Sequence, residues 1–169
     1  MSVKEILRMG HPLLKNIAKP VLEFNTAELD SLVEDMLDTM AALDGAGLAA
    51  PQIAVSLRVV IFGIDNNPRY PEIEPIVQTI LINPEITIIG DKIESAWEGC
   101  LSIPKMRGLV ARNSNIKYKG FDQFGNMIER SAEDFHARVV LHEVDHLDGI
   151  LYPERIKDLK NFGFEDQLF

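Results

Sequence analysis

The chain has 169 residues, of which 46% are hydrophobic and 25% are charged, and these values favour one globular domain with a sizeable core. Its formal net charge of -9 argues against a broad electrostatic surface for nucleic acid or an anionic membrane. No apolar run approaches the roughly 20 residues of a membrane span, and the charged first ten residues lack the apolar stretch of a signal peptide.

The first predicted helix starts near residue 25. Asn25 is a favourable N-cap, and Glu28 has the spacing of a capping box. Apolar residues then recur at helical spacing, with acidic residues on the other side. These apolar residues are Leu29, Leu32, Val33, Met36, Leu37 and Met40. The pattern is typical of a helix that packs on a core, and it stops at the glycines within residues 44–47.

Residues 45–52, with the sequence GAGLAAPQ, are predicted to form a loop of small residues. The two glycines let another group approach the backbone closely. The segment lacks the third glycine and the preceding strand of a dinucleotide fingerprint, and no Walker lysine follows it. Gln52 ends the segment, and its amide can donate either to a ligand or within a turn.

The middle of the chain predicts a series of strands, because short runs rich in β-branched residues alternate with turn signals. These runs are residues 58–64, 80–83, 86–89, 93–97, 109–112, 116–121 and 127–130. Residues 122–125 are typical of a hairpin loop between the last two runs. Residues 66–75 contain three prolines and predict a surface loop within one domain, since strand-like runs resume directly after it.

The single cysteine lies in the sequence EGCLSIP, residues 98–104, so the chain can form no internal disulfide. Gly99 permits close backbone approach beside Cys100, and Leu101 and Ser102 place backbone N–H groups near the thiol. A lone cysteine near a chemical motif is a candidate metal ligand or nucleophile. The alternative is a small buried apolar residue.

The last long helix is predicted between Ser131, a favourable N-cap, and Gly149, a C-terminal stop. Apolar residues on two opposite sides predict a helix buried in the middle of the domain. One side carries Phe135, Val139, His142 and His146 within about 60°, and the other carries Val140, Val144 and Leu147. His136 lies off this stripe and His11 precedes a proline, so both are predicted to be structural.

Residues 142–146 read HEVDH, the HExxH pattern. Two histidines four residues apart share a helix face and can bind one metal, while Glu143 beside them can act on water. The metzincin pattern would place a third histidine at position 152, where this chain has Tyr152. Cys100 is the obvious remaining ligand, and two histidines with one cysteine leave a fourth coordination position open.

The motifs GAGLAAPQ, EGCLS and HEVDH, in this order and spacing, resemble the three signature motifs of peptide deformylases. The resemblance covers nearly the whole chain. It implies an α+β fold, with antiparallel strands packed around a central helix that carries HExxH, in a single domain over residues 1–169. It also implies a metal-dependent hydrolase of a bacterial-type cytoplasm, which removes the N-formyl group from the initiator methionine of new proteins and releases formate.

The resemblance further implies a role for each residue of the motifs. The metal ligands would be Cys100, His142 and His146. They would hold one divalent ion, natively Fe²⁺, for which Zn²⁺, Ni²⁺ or Co²⁺ can substitute. Glu143 would take a proton from the attacking water and pass it to the leaving amine. The Gln52 amide and the Leu101 N–H would stabilise the tetrahedral oxyanion. The substrate-binding residues would be Gly45, Ala46, Gly47, Glu98, Arg107, Phe135 and Val139.

The implied partners are N-formylmethionyl nascent peptides, with no membrane and no direct nucleic-acid recognition expected. Ala46 stands where family members often carry a larger aliphatic residue, which predicts a wider methionine pocket. The loop of residues 66–75 is absent from some relatives. The tail after Gly149 is short and ends in EDQLF, whereas some bacterial members dock on the ribosome through a longer basic helix. A transient ribosome association is therefore left open.

Two other functions fit parts of the sequence. A zinc peptidase that cuts internal amide bonds shares HExxH, but it explains neither Cys100 nor Gln52. A binding protein that keeps the fold without catalysis would have lost the glutamate or a ligand, and Glu143 and all three candidate ligands are intact.

Overall fold

Two antiparallel sheets lie against one central helix. The structure, a computed structural model, describes residues 2–65, 67–68 and 70–169, so Asn66 and Arg69 of the predicted loop lie outside the described residues. The helices and strands are, in chain order, α1 (Ala27–Ala42), β1 (Gly47–Ala49), β2 (Val59–Ile64), β3 (Ile76–Ile88), β4 (Ile93–Cys100), β5 (Ile103–Asn113), β6 (Asn115–Phe121), β7 (Met127–Glu133), α2 (Asp134–Leu147), β8 (Phe162–Phe164) and α3 (Glu165–Leu168).

The larger sheet has the strand order β1-β2-β3-β6-β7, and the smaller sheet has the order β4-β5-β8. Neighbouring strands in both sheets pair antiparallel. Helix α2 contacts strands of both sheets, and its Ala137, Val140 and Leu147 are fully buried. The predicted α+β class with a central HExxH helix is therefore confirmed. Within the described part of the chain, none of the helices is both long and apolar enough to cross a membrane.

Both long helices begin later than the sequence predicts. The cap of α1 is Thr26, whose hydroxyl accepts a hydrogen bond from the Leu29 N–H at 3.2 Å. Asn25 has a φ of 56° and turns the chain into that cap, so the prediction of Asn25 as N-cap was wrong. Ser131 does not cap α2, because it belongs to β7 and pairs with Lys117 of β6. Strand pairing thus delays the second helix until Asp134.

The sequence predicts two strands around Pro84, and the structure has one continuous strand, β3. A bulge between Ile82 and Glu85 interrupts its pairing with β6. Asn83 adopts a φ of 51° there, and its side chain makes two hydrogen bonds of 2.9 Å to the backbone of Val21. The bulge accommodates a proline, which has no N–H to offer the ladder.

Two predicted turns are confirmed. Asp122 opens the β6–β7 hairpin loop, and its carboxylate accepts hydrogen bonds from the backbone N–H groups of Phe124 and Asn126. Gly149 ends α2 with a φ of 73°, and the N–H groups of Gly149 and the next residue bond back to carbonyls of the last helical turn. The turn at Gly149 sets the direction in which the chain leaves the helix that carries the histidines.

Candidate active site

A cysteine from β4 and two histidines from α2 meet between the helix and the smaller sheet. The sulfur of Cys100 and one ring nitrogen each of His142 and His146 all lie within 4.8 Å of one another. The Cys100 sulfur is 3.3 Å from Nε2 of His146. All three residues are buried. The structure therefore brings together the three residues that the sequence predicts as ligands.

This donor set fits a divalent transition metal. Thiolate sulfur and imidazole nitrogen are ligands that iron, cobalt, nickel and zinc accept. Burial lowers the pKa of His146 well below its ordinary value and keeps its ring neutral, which is the form that binds a metal. Cys100 and His142 also line an open cleft, so a water molecule and a substrate can reach these two donors.

Glu98, two residues before Cys100 on β4, holds His142 in place. Its Oε2 lies 2.9 Å from Nδ1 of His142. Its Oε1 accepts hydrogen bonds from Arg112 at 2.6 Å and from Arg138 at 2.7 Å. Burial opposes ionisation, but the hydrogen bonds from His142 and Arg112 bring the pKa of Glu98 well below its usual range. An ionised Glu98 that accepts from Nδ1 leaves Nε2 of His142 for a metal.

The arginines extend this buried network to other elements. Arg112 of β5 also donates to Asp145 of α2 at 2.8 Å, and Arg155 donates to Asp145 at 2.7 and 3.2 Å. Arg138 donates to backbone carbonyls of β4 and β5. The network joins the smaller sheet, the central helix and the segment after that helix around His142.

Glu143 lies beside the candidate metal ligands and is only 5% exposed. Within the described residues, its Oε2 has no hydrogen-bond partner. Burial raises the pKa of Glu143 to about 7. A Cβ at Gly47 would collide with this carboxylate, so only glycine lets β1 pass so close to it. The glycine that the sequence linked to substrate approach thus also makes room for Glu143.

Gln52 is held in a fixed orientation. Its Oε1 accepts a hydrogen bond from the Ala49 N–H at 2.9 Å. Its Nε2 donates to the Ser102 hydroxyl at 3.1 Å and lies 3.5 Å from the Cys100 sulfur. The segment predicted as a loop contains β1 followed by a 3-10 turn (Ala50–Ile53). Gln52 belongs to that turn, stabilises it through the bond to Ala49, and points its amide at the cysteine.

Comparison with known proteins places this site in a family. The sequence profile of the polypeptide deformylase family matches residues 3–162 of the chain. Peptide deformylase 1 of Nitrosomonas europaea is 57% identical over 167 residues, which are 99% of this chain and 95% of that protein. This chain belongs to the polypeptide deformylase family.

Solved peptide deformylases have the same fold. A crystal structure of the class I type b peptide deformylase from Acinetobacter baumannii is 41% identical with a TM-score of 0.89, over 93% of this chain and 100% of that one. A Met-Ala-Ser-bound crystal structure of that protein is also 41% identical, with a TM-score of 0.88 over 92% and 99% of the two chains. The predicted activity is confirmed: the chain is a hydrolase that removes the N-formyl group from nascent peptides, in a family of metalloenzymes.

The deformylase cleft brings together most of the residues that the sequence assigns to substrate. Its lining includes Gly45, Ala46, Gly47, Gln52, Glu98, Cys100, Leu101, Phe135, Val139, His142 and Glu143. His146 lies behind it, 2% exposed. Arg107 lies beside the cleft, where its guanidinium packs over Gly99 and pairs with Glu165 at 3.1 Å. Glu98 reaches the cleft, but both of its oxygens already bind the network described above.

Sequence reasoning missed three residues of the deformylase cleft, namely Tyr70, Trp97 and Arg138. Trp97 is the single tryptophan and directly precedes the EGCLS motif, which was a usable signal. Arg138 follows Phe135 by three residues on α2, but its role depends on Glu98, which is distant in sequence. Tyr70 lies in the proline-rich loop, where no periodicity points to a site.

Proposed function

We propose that this chain deformylates N-formylmethionyl nascent peptides in the cleft between β1, β4 and α2. The observation that carries the proposal is the convergence of Cys100, His142 and His146, with their donor atoms within 4.8 Å of one another, beside the buried carboxylate of Glu143. In the reaction, water adds to the formyl carbon, the bond from that carbon to the methionine nitrogen breaks, and formate leaves the free amine behind.

Cys100, His142 and His146 are the residues that we propose to hold the metal, with Fe²⁺ as the native ion. The mixed sulfur and nitrogen donor set also accepts Zn²⁺, Ni²⁺ and Co²⁺. When bound, the ion supplies Lewis acidity that lowers the pKa of water and polarises the formyl oxygen. Glu98 supports this set, because it fixes the ring orientation of His142 through Nδ1.

Glu143 is the proposed proton carrier. Its Oε2 faces no protein donor within the described residues, so that oxygen is available to accept a proton from water. The same proton then goes to the methionine nitrogen as the amide bond breaks, which regenerates the carboxylate. The close passage of Gly47 fixes the carboxylate against β1, so the proton acceptor has little freedom to turn away.

Gln52 and Leu101 are proposed to stabilise the tetrahedral oxyanion. The bond from the Ala49 N–H to Oε1 of Gln52 leaves Nε2 aimed at the Cys100 side of the cleft. The backbone N–H of Leu101 belongs to the tight turn between β4 and β5, directly after the cysteine. Donors that are already oriented need no reorganisation when negative charge develops on the oxygen.

The peptide is proposed to extend along β1, which is an edge strand with β2 on its one paired side in the described sheet. An extended peptide can add to such an edge through backbone hydrogen bonds. Gly45, Ala46 and Gly47 carry little or no side chain that would obstruct a peptide at this edge. Phe135 and Val139, on the helix stripe of the histidines, are the proposed apolar contacts of the methionine side chain. The Met-Ala-Ser complex of the Acinetobacter baumannii protein supports this substrate class.

Arg107 is proposed to contact residues further along the peptide, because it lines a second cavity together with Cys100 and Leu101, which also line the cleft. Since nascent peptides are made in the cytoplasm, we propose that compartment for the reaction. A transient association with the ribosome would bring the cleft close to its substrate.

Formate release tests the proposed function. Protein loaded anaerobically with Fe²⁺ receives formyl-Met-Ala-Ser, and the same peptide blocked by acetyl serves as the matched control. We expect rapid formate release from the formyl peptide and no hydrolysis of the acetyl peptide. Folded protein that releases no formate when loaded with Fe²⁺, Ni²⁺ or Co²⁺ would contradict the proposal.

A further inference from the structure

Tyr70 brings an aromatic ring into the cleft from a segment outside the three motifs. It lies between β2 and β3 and lines the cleft with Ala46, Phe135 and Val139. Its ring centroid is 5.1 Å from that of Phe135, with 52° between the ring planes. Tyr70 also packs against the core that α2 and the larger sheet share. The ring is therefore part of the cleft wall.

The segment that carries Tyr70 is tied to the cleft. The side-chain amide of Asn67 donates to the carbonyl of Asp44 at 3.1 Å and lies 3.5 Å from the carbonyl of Gly45. The N–H of Tyr70 bonds to the carbonyl of Asn67 at 3.0 Å, and the N–H of Ile73 bonds to the carbonyl of Tyr70 at 3.2 Å. Two turns and the side-chain contacts of Asn67 thus hold the tyrosine next to Asp44 and Gly45, the residues directly before Ala46.

The helix geometry gives the position of this ring along the pocket. Phe135 lies seven residues before His142, which is about 10 Å along the axis of α2. Val139 lies between them on the same side. A side chain that starts near the ligands and follows this stripe therefore passes Val139 first and meets the ring pair of Tyr70 and Phe135 at its far end.

Ala46 adds little to the wall of the cleft. It carries only a methyl group and is itself 9% exposed, so it offers little surface to a bound side chain. The ring of Tyr70 supplies apolar surface that the alanine lacks. A thioether between two aromatic rings also gains sulfur–aromatic contacts.

We propose that Tyr70 is a specificity-determining residue, which closes the far end of the first-residue pocket together with Phe135. It selects a long unbranched apolar side chain over a bulky aromatic one. This inference rests on the proposed function, because the pocket has to receive the first residue of the peptide. It adds to that pocket a residue that none of the three motifs contains.

The test compares the variants Tyr70→Ala and Tyr70→Phe with the wild type, and Phe124→Ala is the matched control. Phe124 is an aromatic residue of the β6–β7 loop, 58% exposed and outside the cleft lining. Binding of the peptides Met-Ala-Ser and Phe-Ala-Ser is followed through the fluorescence of Trp97, the single tryptophan, which lines the cleft. The value of kcat/KM for the formylated forms of both peptides is measured on the same preparations.

We expect Tyr70→Ala to lower the preference for the methionine peptide over the phenylalanine peptide by about tenfold. Tyr70→Phe should keep the preference within about twofold of the wild type, because the ring supplies the contact, and Phe124→Ala should not change it. An unchanged preference in folded Tyr70→Ala would overturn the inference, as would an equal loss for both peptides. Where Tyr70→Ala does not fold, Tyr70→Leu answers the same question with a smaller loss of volume.

The binding measurement separates this inference from the proposed function. A wild type that binds Met-Ala-Ser but releases no formate would contradict the reaction, and the binding preference of the Tyr70 variants would still decide the inference. A wild type that binds neither peptide and releases no formate would contradict both.

Discussion

Glu98 and Glu143 are both 5% exposed, yet their surroundings push their pKa values in opposite directions. Hydrogen bonds from His142 and Arg112 keep Glu98 ionised, so it serves as an anchor. Burial without such donors raises the pKa of Glu143 to about 7. Two carboxylates in one site are thus suited to different roles because of their neighbours. The sequence motif identified Glu143, whereas the role of Glu98 depends on arginines that only the fold brings close.

Replacing Glu143 by glutamine tests the proton carrier. Glu143→Gln keeps the shape of the side chain and leaves the three ligands intact, but it removes the group that accepts a proton. We expect normal metal content and a fall of 10²- to 10⁴-fold in kcat. Metal content and formate release are measured together, with Glu34→Gln, at an exposed position of α1, as the matched control. A Glu143→Gln rate close to that of the wild type would rule out this role.

The surroundings of His136 predict how the free energy of unfolding depends on pH. Its Nε2 lies 3.3 Å from the hydroxyl of Tyr118, which burial keeps protonated by raising the pKa of that tyrosine, so the hydroxyl can donate to the neutral ring. Burial, and then the nearby charge of Arg130, lower the pKa of His136 below 6.5. As the pH falls, His136 therefore becomes protonated in the unfolded chain before it does in the folded one. The stability that its neutral form contributes is present above pH 6.5 and is lost below it.

His136→Gln should reduce that loss, because glutamine keeps a hydrogen-bond acceptor and does not titrate. Urea unfolding at pH 7.5, 6.5 and 5.5 gives the free energy of unfolding for both proteins. The wild type should lose more stability than the variant between pH 6.5 and 5.5. The candidate metal ligands are common to both proteins, so their own titration cancels in the difference. Parallel curves would show that His136 does not carry the effect.

Among the helices and strands, the HExxH helix is the one whose position was predicted best from the sequence. Its inward-facing stripe and its end at Gly149 were predicted, because helical periodicity and C-terminal glycine are local signals. Its start was not, since β7 extends through Glu133 to pair with β6. The pairing partner of a strand is a tertiary property, and the same reason explains why β3 is one strand with a bulge at Pro84.

Gly149 offers a test of how the end of α2 is held. Its φ of 73° is unfavourable for other residues, and a Cβ there would lie 2.5 Å from the carbonyl oxygen of Lys15. Gly90 has a similar φ of 68° but open space around it, so it is the matched control. We expect Gly90→Ala to cost about 1 kcal/mol of unfolding free energy and Gly149→Ala at least about 1 kcal/mol more. Equal losses of unfolding free energy would mean that the backbone at Lys15 moves away from the added Cβ without an energetic cost.

In the whole molecule, buried charges connect the smaller sheet to the helix that carries the histidines. Glu98 and Arg112 come from β4 and β5, and Arg138 and Asp145 come from α2. The three motifs predicted which residues would meet at the candidate metal site, because the signal of each motif is local. They did not predict this network or the ring of Tyr70, since both depend on segments that are distant in sequence and become neighbours only in the folded chain.

Glu98→Gln should therefore destabilise the whole fold and not only the metal centre. Removing this carboxylate leaves the buried guanidinium of Arg138 with neutral acceptors and leaves Asp145 as the carboxylate partner of Arg112, and breaking such a buried pair costs about 3–5 kcal/mol. Metal-free protein isolates this effect from metal loss. Glu129→Gln is the control, because it breaks a surface pair with Lys117 in which both side chains are about half exposed, and it should cost less than about 1 kcal/mol. A small loss for Glu98→Gln would contradict the structural role of the network.

The most direct test is an anaerobic titration of the metal-free protein with Co²⁺, in which the sulfur-to-cobalt absorption band and formate release are recorded together. We predict that both signals rise in parallel and saturate at one ion per chain, and that Cys100→Ser loses the band and binds the metal more weakly. A wild type without the sulfur band, or a Cys100→Ser variant with unchanged metal affinity and activity, would contradict a metal centre formed by Cys100, His142 and His146.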